Sequence, residues 1–285
     1  MRLVRLLTPA LLAFALVAAT TRGGEAAGGG ATAASATVAT TAAAPPPHPA
    51  QISPAPWATL LTAPFPDPAA TPAAVRTRRL RAAIAAAARA GADLLVDKRR
   101  GLPPGYRPRD LVLPRVPFLG GVPPERRRLR RPAARALERL FAAARRDGAP
   151  LAGVSAFRSY ASQRELFAGY ASERGAEGAA HVSARAGHSE HQTGLAIDVS
   201  GADGRCAASG CFAATRAARW LARHVAEHGF VIRYPRGRER DTGYEYEPWH
   251  LRWVGAPLAR EVVRSGRTLD QLLRAGSPAR RAIPR

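Results

Sequence analysis

The sequence predicts an α+β fold. Two observations carry that class: short apolar runs of strand length interleave with longer segments whose apolar residues recur at helical spacing, and the interleaving follows no regular strand–helix–strand count. Residues 74–92, rich in Ala, Arg and Leu, read as a first helix. Leu94, Leu95 and Val96 lead into a stretch carrying Pro103, Pro104 and Pro108, which is extended because proline fixes its own φ and restricts the residue before it. Over 132–146, Leu137, Leu140, Phe141 and Ala144 recur at helical spacing with arginines between them, an amphipathic helix ended near Gly148. A short strand is expected at 151–157, a helix at 162–173 and a strand at 195–199. Residues 215–228 read as a helix stopped by Gly229, followed by strands at 230–234 and 249–254.

The chain's two ends are expected to lie outside this domain. Residues 1–19 have the form of an export signal, with basic Arg2 and Arg5, an apolar stretch, and small Val17 and Ala19 at the −3 and −1 positions of a cleavage site. No cysteine follows, which excludes a lipoprotein anchor, and no apolar run reaches the ~18–20 residues that would cross a bilayer. Residues 20–74 are mainly Ala, Thr, Pro and Gly, a composition that buries too little apolar area to offset ordering entropy, so a disordered linker is expected. The folded domain is then 75–265, with a basic C-terminal tail at 266–285.

Of the 285 residues, 46% are hydrophobic, enough to exclude wholesale disorder. The formal charge is +22, nearly all of it arginine, since Lys98 is the only lysine. The arginines are spread along the chain without a recognisable nucleic-acid motif, so no nucleic-acid partner is expected. Their densest cluster, Arg126, Arg127, Arg128, Arg130 and Arg131, reads as a solvated face, or as a patch holding an exported protein near anionic wall polymers or lipid headgroups. With two cysteines, a disulfide-dense scaffold and a cysteine-only metal site are excluded. In an exported chain, Cys206 and Cys211 are expected to close a short disulfide loop between the strand at 195–199 and the next helix.

Chemistry concentrates in two segments, Ser189-Glu190-His191-Gln192-Thr193-Gly194-Leu195-Ala196-Ile197-Asp198 and Glu247-Pro248-Trp249-His250. Catalytic zinc takes three N/O protein ligands and keeps one position for water, and His191, Asp198 and His250 would supply that set. Gly194 permits a tight turn, so that His191 precedes a strand yet faces the same ion as Asp198 on it. Glu247, held close to His250 by Pro248, could reach the activated water as general base. Each residue alone has a plainer explanation: a structural histidine, or an aspartate paired with an arginine. A second pattern, His224-Val225-Ala226-Glu227-His228, matches H-x-x-E-H, but five residues are a weak signal and a helix needs polar residues on its outer face.

The two chemical segments resemble the signatures of the VanY-type D-alanyl-D-alanine carboxypeptidases. Leu95-Val96-Asp97-Lys98 with Leu102-Pro103 and Tyr106 to Val112 is similar to that family's leading segment, Ser155 to Tyr160 with Gln163 to its substrate-binding segment, and Arg233-Tyr234-Pro235 with Gly243, Tyr244, Tyr246 and Glu247 to its last. Asp97 stands where the family usually has asparagine, and Ala156-Phe157 where Gly-Tyr is common, so a hydroxyl is missing near the pocket.

The resemblance implies a hedgehog-like peptidase fold, a small antiparallel sheet flanked by helices. It implies one Zn2+ on His191, Asp198 and His250, Glu247 as base, and Arg158 on the carboxylate of the substrate's C-terminal D-alanine. Gln163, Ser189 and Tyr234 would line the pocket; His188, beside the first motif, is expected to be an exposed loop residue, the alternative being a place at the pocket rim or behind a ligand. The expected activity is release of D-alanine from peptidoglycan stem peptides by an exported enzyme, wall-associated or periplasmic. The alternatives are an L,D-carboxypeptidase or endopeptidase of the same fold, a zinc-containing wall-binding module without catalysis, and a basic polyanion-binding protein.

Overall fold

The computed structural model describes residues 71–276. The export signal at 1–19 and nearly all of the linker at 20–74 lie outside the described residues. Helix α1 (Pro72–Arg89) starts where Thr71 caps Ala74 N–H and Pro72 occupies the first turn, where a missing N–H costs nothing. A two-residue ladder, β1 (Leu111–Val112) with β2 (Leu129–Arg130), leads into α2 (Arg131–Arg146). The principal sheet follows: β3 (Leu151–Ser155), β4 (Ala196–Gly201), β5 (Phe230–Tyr234) and β6 (Glu247–Trp253), in the order β3-β4-β6-β5 with every pair antiparallel.

Between strands lie α3 (Tyr160–Val182), α4 (Arg216–His224) and the single turn α5 (Glu239–Thr242), and the chain continues through α6 (Ala256–Ser265) and α7 (Leu269–Gly276). The core forms where α2 and α4 cover the sheet. Leu137, Leu140, Ala144, Leu221, Ile197, Val199, Phe230 and Leu251 are all fully buried, while the arginines of α2 take its other face.

Three expectations are corrected. The helix expected over 215–228 is α4 followed by a 3-10 turn, Val225–His228, which closes on Gly229 at φ +81°. The helix expected at 162–173 starts two residues earlier, at a Ser159 cap, and runs on to Val182 through a break at Gly175. The domain does not stop at 265 with a basic tail: α7 inserts Leu269, Leu272 and Leu273 into the core and buries Asp270. Only three apolar positions separated by polar ones mark that helix, which is why composition alone reads it as tail.

Candidate active site

Asp198 and His250 are brought together by sheet register. They stand directly opposite each other on β4 and β6, the pairing that places side chains of one face closest. His191 arrives from outside the sheet, on a 3-10 turn, Glu190–Thr193, that ends on Gly194 at φ +67°. A Cβ at Gly194 would also sit 2.8 Å from Leu111 Cδ2, so only glycine makes this turn into β4. Ligand atoms of His191, Asp198 and His250 all lie within 4.8 Å of one another, and all three residues are buried.

The donor set suits a divalent metal. His191 Nδ1 lies 2.6 Å from the Ala156 carbonyl, which can only accept, so Nδ1 carries the proton and Nε2 keeps its lone pair. That Nε2 lies 3.2 Å from Asp198 Oδ2, and His250 Nδ1 lies 3.1 Å from Asp198 Oδ1. Asp198 Oδ1 is nonetheless buried without a well-directed hydrogen bond, as expected of atoms aimed at a common third partner rather than at each other. Burial works against a charged His250, but the carboxylates of Asp198, Glu190 and Glu247 around it overcome that penalty and raise the imidazole to about 9. The cavity thus already favours positive charge.

Glu247 opens β6 and approaches His250 Nδ1 to 3.7 Å. Burial and the Asp198 charge push its carboxyl up to about 7 against the opposing pull of His250 and Arg158. Arg158 follows β3, its backbone N–H reaching the His191 carbonyl at 3.3 Å. Its Nε is buried without a hydrogen-bond partner, and burial lowers its pKa although Asp198 and Glu247 are near enough to oppose that shift. Among the described residues no carboxylate pairs with it. Tyr234, paired with Glu247 across β5 and β6, lays its ring 5.0 Å from the His250 ring and 4.6 Å from that of Tyr244.

Ser189 is buried and precedes the His191 turn, accepting Gln192 N–H on its carbonyl. Gln163 is fully buried and bonded to Ser183 Oγ and the Ala184 carbonyl, so it staples the two ends of α3; its Oε1 has no partner. Cys206 and Cys211 are disulfide-bonded.

Two surface expectations are corrected. His188 is half-buried and donates from Nδ1 to the Asp97 carbonyl at 2.8 Å, fixing the leading segment rather than standing in solvent. Four members of the arginine cluster, Arg126 to Arg128 and Arg130, are half-buried too. Arg127 bonds the Val122 carbonyl, Arg130 pairs with Asp110, and the carbonyls of Arg126 and Arg128 accept from Ala156 and Phe157. The H-x-x-E-H pair has no common ligand point: His224 stacks on Trp220 at 4.8 Å and contacts Glu227, while His228 lies in the 3-10 turn.

Sequence reasoning left a buried network unassigned. Glu190 Oε1 accepts from Arg233 Nε at 2.8 Å and lies 3.2 Å from Arg252 Nη1, while Arg233 also grips Asp270 on α7. The available signal was charge at strand positions flanked by apolar residues, Arg233 in β5 and Arg252 in β6.

The VanY family pattern, described as D-alanyl-D-alanine carboxypeptidase, matches residues 126–256. A putative carboxypeptidase of Bacillus subtilis, YodJ, is 41% identical over 177 residues, 62% of this chain, and the chain spans 65% of that relative's length. The solved LD-carboxypeptidase LdcB superposes with TM-score 0.61 at 40% identity, covering 63% of this chain and 84% of LdcB. The vancomycin-resistance D,D-pentapeptidase VanY, solved with Zn(II), superposes at 0.52 with 29% identity, over 64% of this chain and 98% of that one. The likeness to LdcB, spanning most of that chain, and the matched pattern together establish that this chain belongs to the VanY family of zinc peptidases.

Proposed function

We propose that the protein is an exported zinc-dependent carboxypeptidase that removes the C-terminal D-alanine from peptidoglycan stem peptides. The observation that carries this reading is the convergence of His191, Asp198 and His250 within 4.8 Å, with Glu247 beside them. His191 Nε2, a carboxylate oxygen of Asp198 and His250 Nδ1 would hold the ion. When bound, zinc polarises a carbonyl oxygen and lowers the pKa of water from 15.7 to about 7.

The chain's own groups supply the rest. Glu247 accepts the proton of the attacking water and delivers it to the leaving amine of D-alanine, a two-way transfer suited to a carboxyl whose burial brings it near neutrality. Arg158 binds the terminal carboxylate of the substrate, and its lack of a protein anion leaves the guanidinium fork available for that bidentate contact. Tyr234 packs against the His250 ring and walls the site on that side, excluding water there. Gln163 and Ser189 act behind the pocket, the first by holding α3 closed and the second by starting the His191 turn.

The D,D bond of a pentapeptide stem is the first reading, following the family description. A second, hydrolysis of the L,D bond of a tetrapeptide, is favoured by the greater identity to LdcB, 40% against 29% for VanY. Incubating the purified protein with defined tetrapeptide and pentapeptide stems and reading product masses separates the two. Loss of one alanine from either stem, abolished by a chelator and restored by zinc, is the expected result. Internal cleavage, or no cleavage with zinc bound, would sink the carboxypeptidase reading.

A further inference from the structure

We propose that Glu190 is the positioning residue for His250, and that the Asp270–Arg233 pair makes the C-terminal helix α7 part of the metal-binding apparatus. This rests on the reading that His191, Asp198 and His250 hold zinc.

The imidazole of His250 has two differently engaged nitrogens. Nδ1 faces Asp198 and Glu247, and Nε2 faces Glu190 Oε2 at 3.7 Å. Both Nε2 and Oε2 are buried, and among the described residues neither has a hydrogen-bond partner. Two complementary buried groups face to face and unbonded are costly, and an approach of about half an ångström would pair them. Metal on Nδ1 leaves the proton on Nε2, and Glu190 is the acceptor that then fixes tautomer and ring plane.

Glu190 cannot drift to another partner. Its second oxygen accepts from Arg233 Nε at 2.8 Å and lies in ion-pair contact with Arg252 Nη1 at 3.2 Å, and Arg252 is itself tied through Nη2 to the Ala92 and Leu94 carbonyls. Arg233 Nη1 and Nη2 meet the two oxygens of Asp270 at 2.6 and 3.1 Å. Glu190, Arg233 and Asp270 are all essentially inaccessible to solvent. A continuous chain of charge-assisted contacts therefore runs from α7 to the far nitrogen of a metal-ligand candidate. A purely structural network would stabilise the fold without touching metal affinity, and that difference is measurable.

The test is the zinc dissociation constant of the full chain, by chelator competition, beside the thermal stability of the metal-free protein. Glu190→Gln, nearly isosteric, is expected to bind zinc about 10–100-fold more weakly. Asp270→Asn, one link further out, should weaken it by a smaller factor in the same direction. Wild-type affinity in both variants, if folded, overturns the proposal, and wild-type affinity in Asp270→Asn alone overturns the part that involves α7. If Glu190→Gln does not fold, the wild-type protein decides. Long-range 1H–15N spectra of the zinc-loaded chain should show His250 metallated at Nδ1 with a slowly exchanging Nε2 proton. Metal on Nε2, or a freely exchanging proton there, overturns the role of Glu190. Absence of zinc binding by wild type removes the metal reading itself, and this proposal with it.

Discussion

Two carboxylates flank His250 and live under opposite rules. On the inner side, burial would raise Glu190, but Arg233 and Arg252 overwhelm that penalty and hold it well below the usual carboxylate range. On the outer side, among the described residues, Glu247 has no cation within salt-bridge reach except His250 itself, and burial pushes it up to about 7. Sequence gives both residues the same functional group next to a histidine motif. Neighbours decide that the first is a fixed negative charge fit to orient a ring, and the second a group that can take and return a proton.

The strongest way to break this contrast is Glu247→Ala. If the outer carboxylate carries the proton and does not bind metal, zinc affinity should stay near wild type while kcat for D-alanine release falls about 10²–10⁴-fold. Isothermal titration with zinc and a steady-state assay on the same preparation give both numbers; loss of zinc would make Glu247 a ligand and erase the distinction.

A second substitution separates site effects from fold effects. Leu140 on α2 is fully buried in the apolar core. Leu140→Ala should lower unfolding stability by about 2–5 kcal/mol, as cavity-forming truncations do, with kcat unchanged at low temperature where the variant stays folded. A matching loss of kcat would mean that the core and the site are coupled.

Arg158→Ala sharpens the outer side further. A charged hydrogen-bonding contact to substrate contributes about 1.5–3 kcal/mol, so kcat/KM should fall roughly ten- to a hundred-fold, chiefly through KM, with zinc binding intact. An unchanged KM for peptides with a free terminal carboxylate would remove Arg158 from the pocket.

How much of this was readable beforehand follows from which forces are local. The α2 helix, the strands and the convergence of His191, Asp198 and His250 follow from periodicity, from a glycine that must adopt a left-handed turn, and from motif resemblance. The inner carboxylate was invisible because its meaning lies in partners 43 and 62 positions downstream, Arg233 and Arg252, and no spacing rule connects them. The same holds for α7, whose reason to fold is one buried Asp270 and three leucines rather than any strong helix signal. His188, Arg127 and Arg130 misled for a related reason. Composition reports charge, and only packing reports whether that charge is spent on backbone carbonyls.

The smallest expected effect lies farthest from His250 along β4. The Cys206–Cys211 bond closes a short loop between β4 and α4, and loop-entropy arithmetic for so few residues gives about 2 kcal/mol. Cys206 and Ala208 both adopt positive φ in that loop, +58° and +49°, conformations unfavourable for residues with a Cβ. Reduction lets the loop relax out of them, which offsets part of the entropic gain. The double variant Cys206→Ser with Cys211→Ser should therefore lose less than about 2 kcal/mol by denaturant unfolding, with zinc affinity and kcat/KM at wild-type values. Because Asp198 is pinned by β3 on one side and β6 on the other, its position does not depend on where the loop beyond Gly201 goes. A drop in zinc affinity in this variant would show that the loop, and not the sheet alone, sets the register of Asp198 against His250.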